Sequence, residues 1–158
     1  MLICNLGELT GPGFIKMPTM IAGYVKSLSG AKPAGVKAYA GIFDQVPPNW
    51  RKDGGVSAHA MEMHYVFGAV DDTASWKVLQ FLYKSAGAKS PLPVITDAER
   101  KVSEYMMQMW TQFARTGNPS VQGLIHWPNW EPSTDKYLYI AEPLQVKLGF
   151  SKVQKQEA

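Results

Sequence analysis

The run from Thr96 to Pro119 constrains the fold of this chain more than any other segment. Thr96-Asp-Ala-Glu99 has the spacing of a capping box, in which a hydroxyl and a carboxylate each satisfy an orphan backbone donor at a helix N-terminus. Val102, Met106, Met109, Trp110 and Phe113 follow at helical spacing, and Gly117 and Pro119 end the segment. A helix of this length with one apolar stripe needs other elements to bury that stripe. Its methionines and aromatics are therefore read as core, not as a cofactor pocket.

The rest of the chain has the means to supply that burial. At 158 residues, 46% hydrophobic and 18% charged, it has the composition of one globular domain with a sizeable core. The net charge of +3 comes from 16 basic and 13 acidic residues without a basic run, the tail Lys152 to Lys155 apart, so nucleic acid is not expected as a partner. The single cysteine, Cys4, excludes an internal disulfide and a thiolate zinc cluster, and leaves the compartment open. No apolar stretch has the length of a membrane span, and residues 1–5 are too short for a signal peptide.

Read along its length, the chain is α/β. Met-Leu-Ile-Cys-Asn5 enters directly into an apolar strand, the start expected of an internal fragment, and Gly7-Glu-Leu-Thr-Gly-Pro-Gly13 follows as a turn-rich loop. Pro18, Ile21, Tyr24, Val25 and Leu28 predict a helix over residues 18–29, closed by Gly30. Val36 to Phe43 reads as a buried strand, and Pro47 and Pro48 open a loop that carries His59 and leads to the apolar turn Tyr65-Val-Phe-Gly68. A second helix is expected over residues 73–86, with Trp76, Leu79 and Tyr83 on one face. Trp127-Pro-Asn-Trp130 precedes Tyr137-Leu-Tyr-Ile140, an edge strand or hairpin, and from Ser151 the chain reads as a frayed polar tail.

Functional groups in an open α/β sheet gather at the carboxyl ends of its strands. Glu8 after the first strand and His59 after the second occupy such positions, and a carboxylate can fix one nitrogen of an imidazole while the other faces a nucleophile. Three other readings compete. Gly55-Val-Ser-Ala-His59 nearly matches the nucleophile elbow G-x-S-x-G, but the last glycine is replaced and no strand precedes it, so Ser57 is a poor nucleophile. His59, Glu62 and His64 superficially resemble a metalloprotease motif, yet on a helix the two histidines would point about 140° apart and could not share a metal. His126, before Trp127, reads as a loop or packing residue.

The longer patterns resemble a known family. His59-Ala-Met-Glu-Met-His-Tyr-Val-Phe-Gly68 is similar to the segment around the catalytic histidine of type B carboxylesterases, the cholinesterase-like branch of the α/β-hydrolases, whose pattern is His-Gly-x-Glu followed by Tyr/Phe-Val-Phe-Gly. Met106 to Pro119, with its Phe-Ala-Arg-Thr-Gly-Asn-Pro ending, and the later Trp127-Pro resemble that family's late helix and the turn after it. Val36 to Pro47 resembles its last strand before the histidine loop. Ile3-Cys-Asn-Leu-Gly-Glu8 lies where the family has Asn-x-Asp-Glu-Gly, which places Glu8 on the catalytic acid. Two departures stand out: Ala60 replaces the usual glycine, and Glu8 and His59 are closer in sequence than the family's helical insert requires.

The resemblance implies an α/β-hydrolase fold and hydrolysis of small-molecule carboxylic esters through a serine ester, without cofactor or metal. His59 would act as general base and Glu8 as its orienting acid, with Glu62 supporting the histidine loop. The serine elbow and glycine-rich oxyanion loop lie upstream in the family, and neither occurs in these residues. Residues 1–150 would then be the C-terminal portion of the domain and 151–158 its polar tail, inactive without an N-terminal portion that carries the serine. The alternative is a non-catalytic module derived from this fold that docks to a complementary chain or to itself through an uncovered sheet edge.

Overall fold

The structure is a computed structural model, and it describes residues 1–5, 26, 29–30, 37–78, 80–85, 87–90 and 92–155. The loop at residues 7–13, with Glu8, lies outside the described residues. Of the helix expected over residues 18–29, only Lys26 and Ser29 are described, both helical.

Four strands form one sheet in the order β1 (Leu2–Asn5), β2 (Ala40–Phe43), β3 (Lys136–Ile140) and β4 (Gln145–Leu148). β1 and β2 are parallel, with Asn5 opposite Phe43; β2 and β3 are parallel, with Phe43 opposite Ile140; β3 and β4 form an antiparallel hairpin. Parallel neighbours need long crossovers. Between β2 and β3 the chain supplies α1 (Pro48–Lys52), α2 (Met61–Val66), α3 (Thr73–Val78), α4 (Gln80–Ser85) and α5 (Asp97–Thr116).

β2 is apolar on both faces because both faces are covered. Tyr39 and Phe43 join Leu138 and Ile140 in the main core with α2 and α5, whereas Ala38, Ala40 and Ile42 face a smaller core with Trp130, Tyr137, Phe150 and Val153. The period of two is thus kept on an unbroken hydrophobic run. Trp127 is fully buried and ties its loop to β2 by donating its indole N–H to the Ala40 carbonyl at 2.9 Å.

Sequence expectations and structure part at three places. Residues 65–66, read as a turn, close α2, whose last turn buries His64 and Tyr65. By contrast, the helix expected over residues 73–86 is helical at every described residue, 73–78 as α3 and 80–85 as α4. Tyr137 to Ile140 lie within β3, which forms the expected hairpin with β4 but is an interior strand, β4 being an edge among the described residues. Residues 151–155, the described part of the stretch read as a frayed polar tail, belong to a 3-10 helix, Phe150–Lys155, because Phe150 and Val153 fill the smaller core and Asp135 receives Ser151 N–H at 2.9 Å.

α5 is the helix anticipated from the capping box. Thr96 caps it, Ala98 N–H reaches the Thr96 hydroxyl at 3.3 Å, Thr96 N–H reaches the Glu99 carboxylate at 2.9 Å, and Gly117 takes the left-handed closing conformation at φ 71°. Glu99 does more than cap. It is 1% exposed and also accepts from the Gln45 side-chain amide at 2.6 Å, while Gln45 accepts from Glu142 N–H at 3.0 Å. One carboxylate therefore joins the start of α5 to the residues just past β2 and β3. Glu99→Ala strands several buried donors, so we expect a loss of about 2 to 3 kcal/mol in urea unfolding. A loss no larger than an exposed cap, about 1 kcal/mol, would show that the Gln45 link contributes nothing.

Candidate active site

The loop after β2 is built to return to the end of that strand. α1 turns the chain away from the sheet, with Trp50 buried beneath it and the Trp50 indole N–H donating to the Ser90 carbonyl at 2.9 Å. Gly55 then passes so close to Trp50 that a Cβ would meet its carbonyl oxygen at 2.8 Å, and Gly87, at φ +96°, approaches the Gly55 backbone from the other side. Two residues further on, Ser57 is fully buried and its hydroxyl donates to the Phe43 carbonyl, the last of β2, at 3.0 Å.

His59 follows as an exposed residue. Ala60 next takes a left-handed conformation, φ 66°, ψ 3°, and serves as N-cap of α2. That is a conformation natural to the glycine of the family pattern and costly for alanine. His59 thus stands between two fixed points, a buried hydroxyl tether and a sharp turn into a helix. Because β1 and β2 run in parallel with Asn5 opposite Phe43, the end of β1 lies beside the strand end that holds the Ser57 tether. Glu8 is three positions beyond Asn5 and lies outside the described residues.

Ser57 and His64 are both buried. Ser57 lies inside the protein with its hydroxyl engaged, and is not presented to a substrate. His64 is buried at the end of α2, stacked on Trp76 at 3.8 Å between ring centroids and 21° between planes. Its Nε2 lies 2.5 Å from the Tyr83 hydroxyl and its Nδ1 3.0 Å from the Ser75 hydroxyl. With Tyr83 donating to Nε2, Nδ1–H donates to Ser75, whose own proton goes to the Asp72 carbonyl at 2.8 Å. This proton order is assigned from the network, and it leaves the ring neutral with both nitrogens engaged. Neither nitrogen remains for a metal shared with His59 or Glu62, and among the described residues no group of three His, Cys, Asp or Glu side chains is arranged for one. Glu62 is half-buried in the first turn of α2, and its charge adds to the burial that pushes the Tyr83 hydroxyl up. His126 is exposed, in the loop before Trp127.

Burial lowers the His64 pKa from 6.5 to about 4, the nearby Asp72 opposing it. A histidine held neutral in the fold binds fewer protons than in the unfolded chain. Its contribution is whole above about 6.5, declines as pH falls towards 4, and over that window amounts to about 3 kcal/mol. Unfolding midpoints in urea, measured between pH 7.5 and pH 4, should fall more steeply for the parent chain than for His64→Gln; parallel slopes would show that His64 is not the group responsible.

A second cluster at the strand ends was not legible from sequence. Asp44, directly after β2 and 8% exposed, accepts from Arg51 at 2.7 Å and from the Tyr139 hydroxyl of β3 at 2.5 Å. Burial and this hydrogen bond push the Tyr139 hydroxyl well up. An acid immediately after a buried strand is a visible signal, but its partner 95 positions away is not.

Solved structures share this architecture. The chain is similar to a carboxylesterase of Geobacillus stearothermophilus, with TM-score 0.61 and 17% identity over 87% of this chain and 25% of that one. It is likewise similar to a PNB esterase, with TM-score 0.56 and 24% identity over 77% of this chain and 21% of that one. The fold is that of the α/β-hydrolase esterases, present in part.

The family model described as the carboxylesterase family matches residues 5–157, and the chain belongs to that family. Among curated relatives, mouse (Mus musculus) carboxylesterase 1E is 31% identical over 144 residues, which are 89% of this chain and 21% of that protein. Mouse carboxylesterase 3B is 37% identical over 86 residues, 54% of this chain and 12% of that protein. The medium-chain fatty acyl-CoA hydrolase precursor of Anas platyrhynchos is 47% identical over 45 residues, 28% of this chain and 8% of that protein. The chain thus spans about a fifth or less of the length of these relatives. No helix among the described residues is long and apolar enough to cross a membrane.

Proposed function

We propose that this chain supplies the histidine, His59, and the acid, Glu8, of a Ser-His-Glu triad that hydrolyses carboxylic esters, the serine and oxyanion donors being supplied by a polypeptide segment that carries G-x-S-x-G. The observation that carries the reading is the placement of His59. It is exposed, it comes two residues after a buried tether to the last carbonyl of β2, and Asn5, three residues short of Glu8, pairs with the Phe43 that the tether holds. Residues 1–150 are on this reading the C-terminal portion of the family's domain. The 3-10 helix packed beneath β2 adds Phe150 and Val153 to the same unit.

In the reaction His59 takes the proton of the serine hydroxyl as it attacks the ester carbonyl, then returns it to the departing alcohol. Water repeats the sequence on the acyl-enzyme, again giving its proton to His59. Glu8 accepts from the other ring nitrogen, fixes the tautomer and stabilises the imidazolium. Ser57 is turned inward and the sequence has no G-x-S-x-G, so we expect the chain alone not to turn over p-nitrophenyl acetate above the buffer rate. Mixed with a polypeptide carrying the G-x-S-x-G portion of a family member, it should do so. Turnover by the isolated chain, lost in a Ser57→Ala variant, would contradict the reading.

A specific observation favours docking as well. Met63 and Phe67 are 47% and 73% exposed, and together with Met1 and Trp110 they line a cavity of about 390 Å³ beside β1, which has no strand on its outer side among the described residues. A partner carrying the rest of the sheet would cover the edge and the apolar side chains together. In the absence of such a partner, the same surface makes self-association the expected behaviour. On the non-catalytic reading of the chain, that docking would occur and His59 would be dispensable.

A further inference from the structure

Ser57 is a hydroxyl in the wrong place for a nucleophile and in a telling place for something else. It is fully buried, donates to the Phe43 carbonyl at 3.0 Å, and stands two residues before His59. Fourteen positions separate it from the carbonyl it holds, so the bond closes the whole excursion through α1 back onto the strand end. Without that closure the segment from Gly55 to His59 is held at its far side by the turn at Ala60, φ 66°, and at its near side by the glycine contacts at Gly55. Ala58, between them, is buried in the main core, and the Ser57 hydroxyl adds the bond that ties this segment directly to the strand end. An imidazole must sit within hydrogen-bond reach of both its acid and its nucleophile, and a displacement of about 1 Å can cost about a hundredfold in rate.

We propose that Ser57 is a positioning residue for His59: its hydroxyl bond to the last carbonyl of β2 sets where the imidazole stands relative to the ends of β1 and β2. The inference rests on the reading of His59 as general base. It explains why a serine stands at the centre of an elbow-like sequence yet faces inward. A small donor is needed there, since the side chain must fit a fully buried space and reach a backbone oxygen.

The test separates positioning from stability with a matched control. Ser103 is also buried, at 2% exposed, and its hydroxyl donates to the Tyr65 carbonyl at 2.8 Å, so Ser103→Ala removes a comparable bond that does not hold the histidine loop. In the full chain, the ring-proton NMR signals of His59 should shift and sharpen towards those of a mobile histidine in Ser57→Ala, and remain as in the parent in Ser103→Ala. Ser57→Cys, which keeps a small donor of weaker strength, should lie between parent and alanine, and it serves as the test variant if Ser57→Ala does not fold. In the ester-hydrolysing mixture with the serine-bearing polypeptide, Ser57→Ala should lower kcat about a hundredfold with KM unchanged, and Ser103→Ala should leave both constants in place. His59 signals as ordered in Ser57→Ala, or in Ser57→Cys where the alanine variant does not fold, as in Ser103→Ala would overturn the proposal. Should His59→Ala leave the mixture active, the reading of His59 as base fails instead, and the NMR arm still decides whether Ser57 holds the loop.

Discussion

Replacing His59 by alanine should reduce ester turnover by the complemented protein about 10⁴- to 10⁶-fold, leaving its unfolding midpoint in urea nearly unchanged. The two halves of this expectation have separate physical causes. A serine hydroxyl is a weak nucleophile at neutral pH, and without a base its attack falls back to what binding and oxyanion stabilisation alone provide. The imidazole itself is exposed, so its removal opens no cavity, and the stability change should stay within about 0.5 kcal/mol. A tenfold loss or less would mean that another group takes the proton, and large destabilisation would mean that the side chain is structural.

The largest expected stability effect belongs to Trp76. It is 1% exposed and stands at the centre of an aromatic cluster, 5.5 Å from Trp50, 5.4 Å from Tyr83 and 6.3 Å from Tyr65 between ring centroids, with His64 stacked on its face. Its indole N–H donates to the Val70 carbonyl at 2.8 Å. Trp76→Ala removes this packing and leaves that buried carbonyl without its donor, so the chain should lose about 4 kcal/mol in equilibrium urea unfolding. Against the lower end of the usual range of domain stability, about 5 kcal/mol, that leaves about 1 kcal/mol and about a sixth of the chains unfolded. Trp76→Phe, which keeps part of the ring surface, should lose less. A cost below about 1.5 kcal/mol for the alanine variant would show that the cluster repacks, and that α3 and α4 are not held to α2 through this ring.

How much of this was legible in the sequence follows from where each signal resides. α5 was legible in full, since its cap, stripe and terminating glycine are all local, and local pattern is what a sequence displays. The buried role of Glu99 was only half legible: its capping spacing is local, but its bond to Gln45 joins positions 54 apart. α2 was missed because six residues following an alanine in a left-handed conformation show no ordinary helix start. The 3-10 helix at the end was missed because only Phe150 and Val153 are apolar in it, and the surface they fill is formed by β2 and Trp130 far upstream. In the candidate site, His59 is singled out by its motif, whereas the inward turn of Ser57, the cage around His64 and the Asp44–Tyr139 bond depend on tertiary closeness that no spacing reveals.

The central claim is that His59 is the base that activates a serine carried on another polypeptide segment, and serine reactivity tests it without any assumption about the preferred ester. A fluorophosphonate probe should label the serine of the G-x-S-x-G polypeptide at a rate that rises at least a hundredfold when this chain is added, and that stays at the basal rate when the added chain is His59→Ala. Equal acceleration by the parent and by His59→Ala would contradict the claim, since it would show that the chain assists by docking alone.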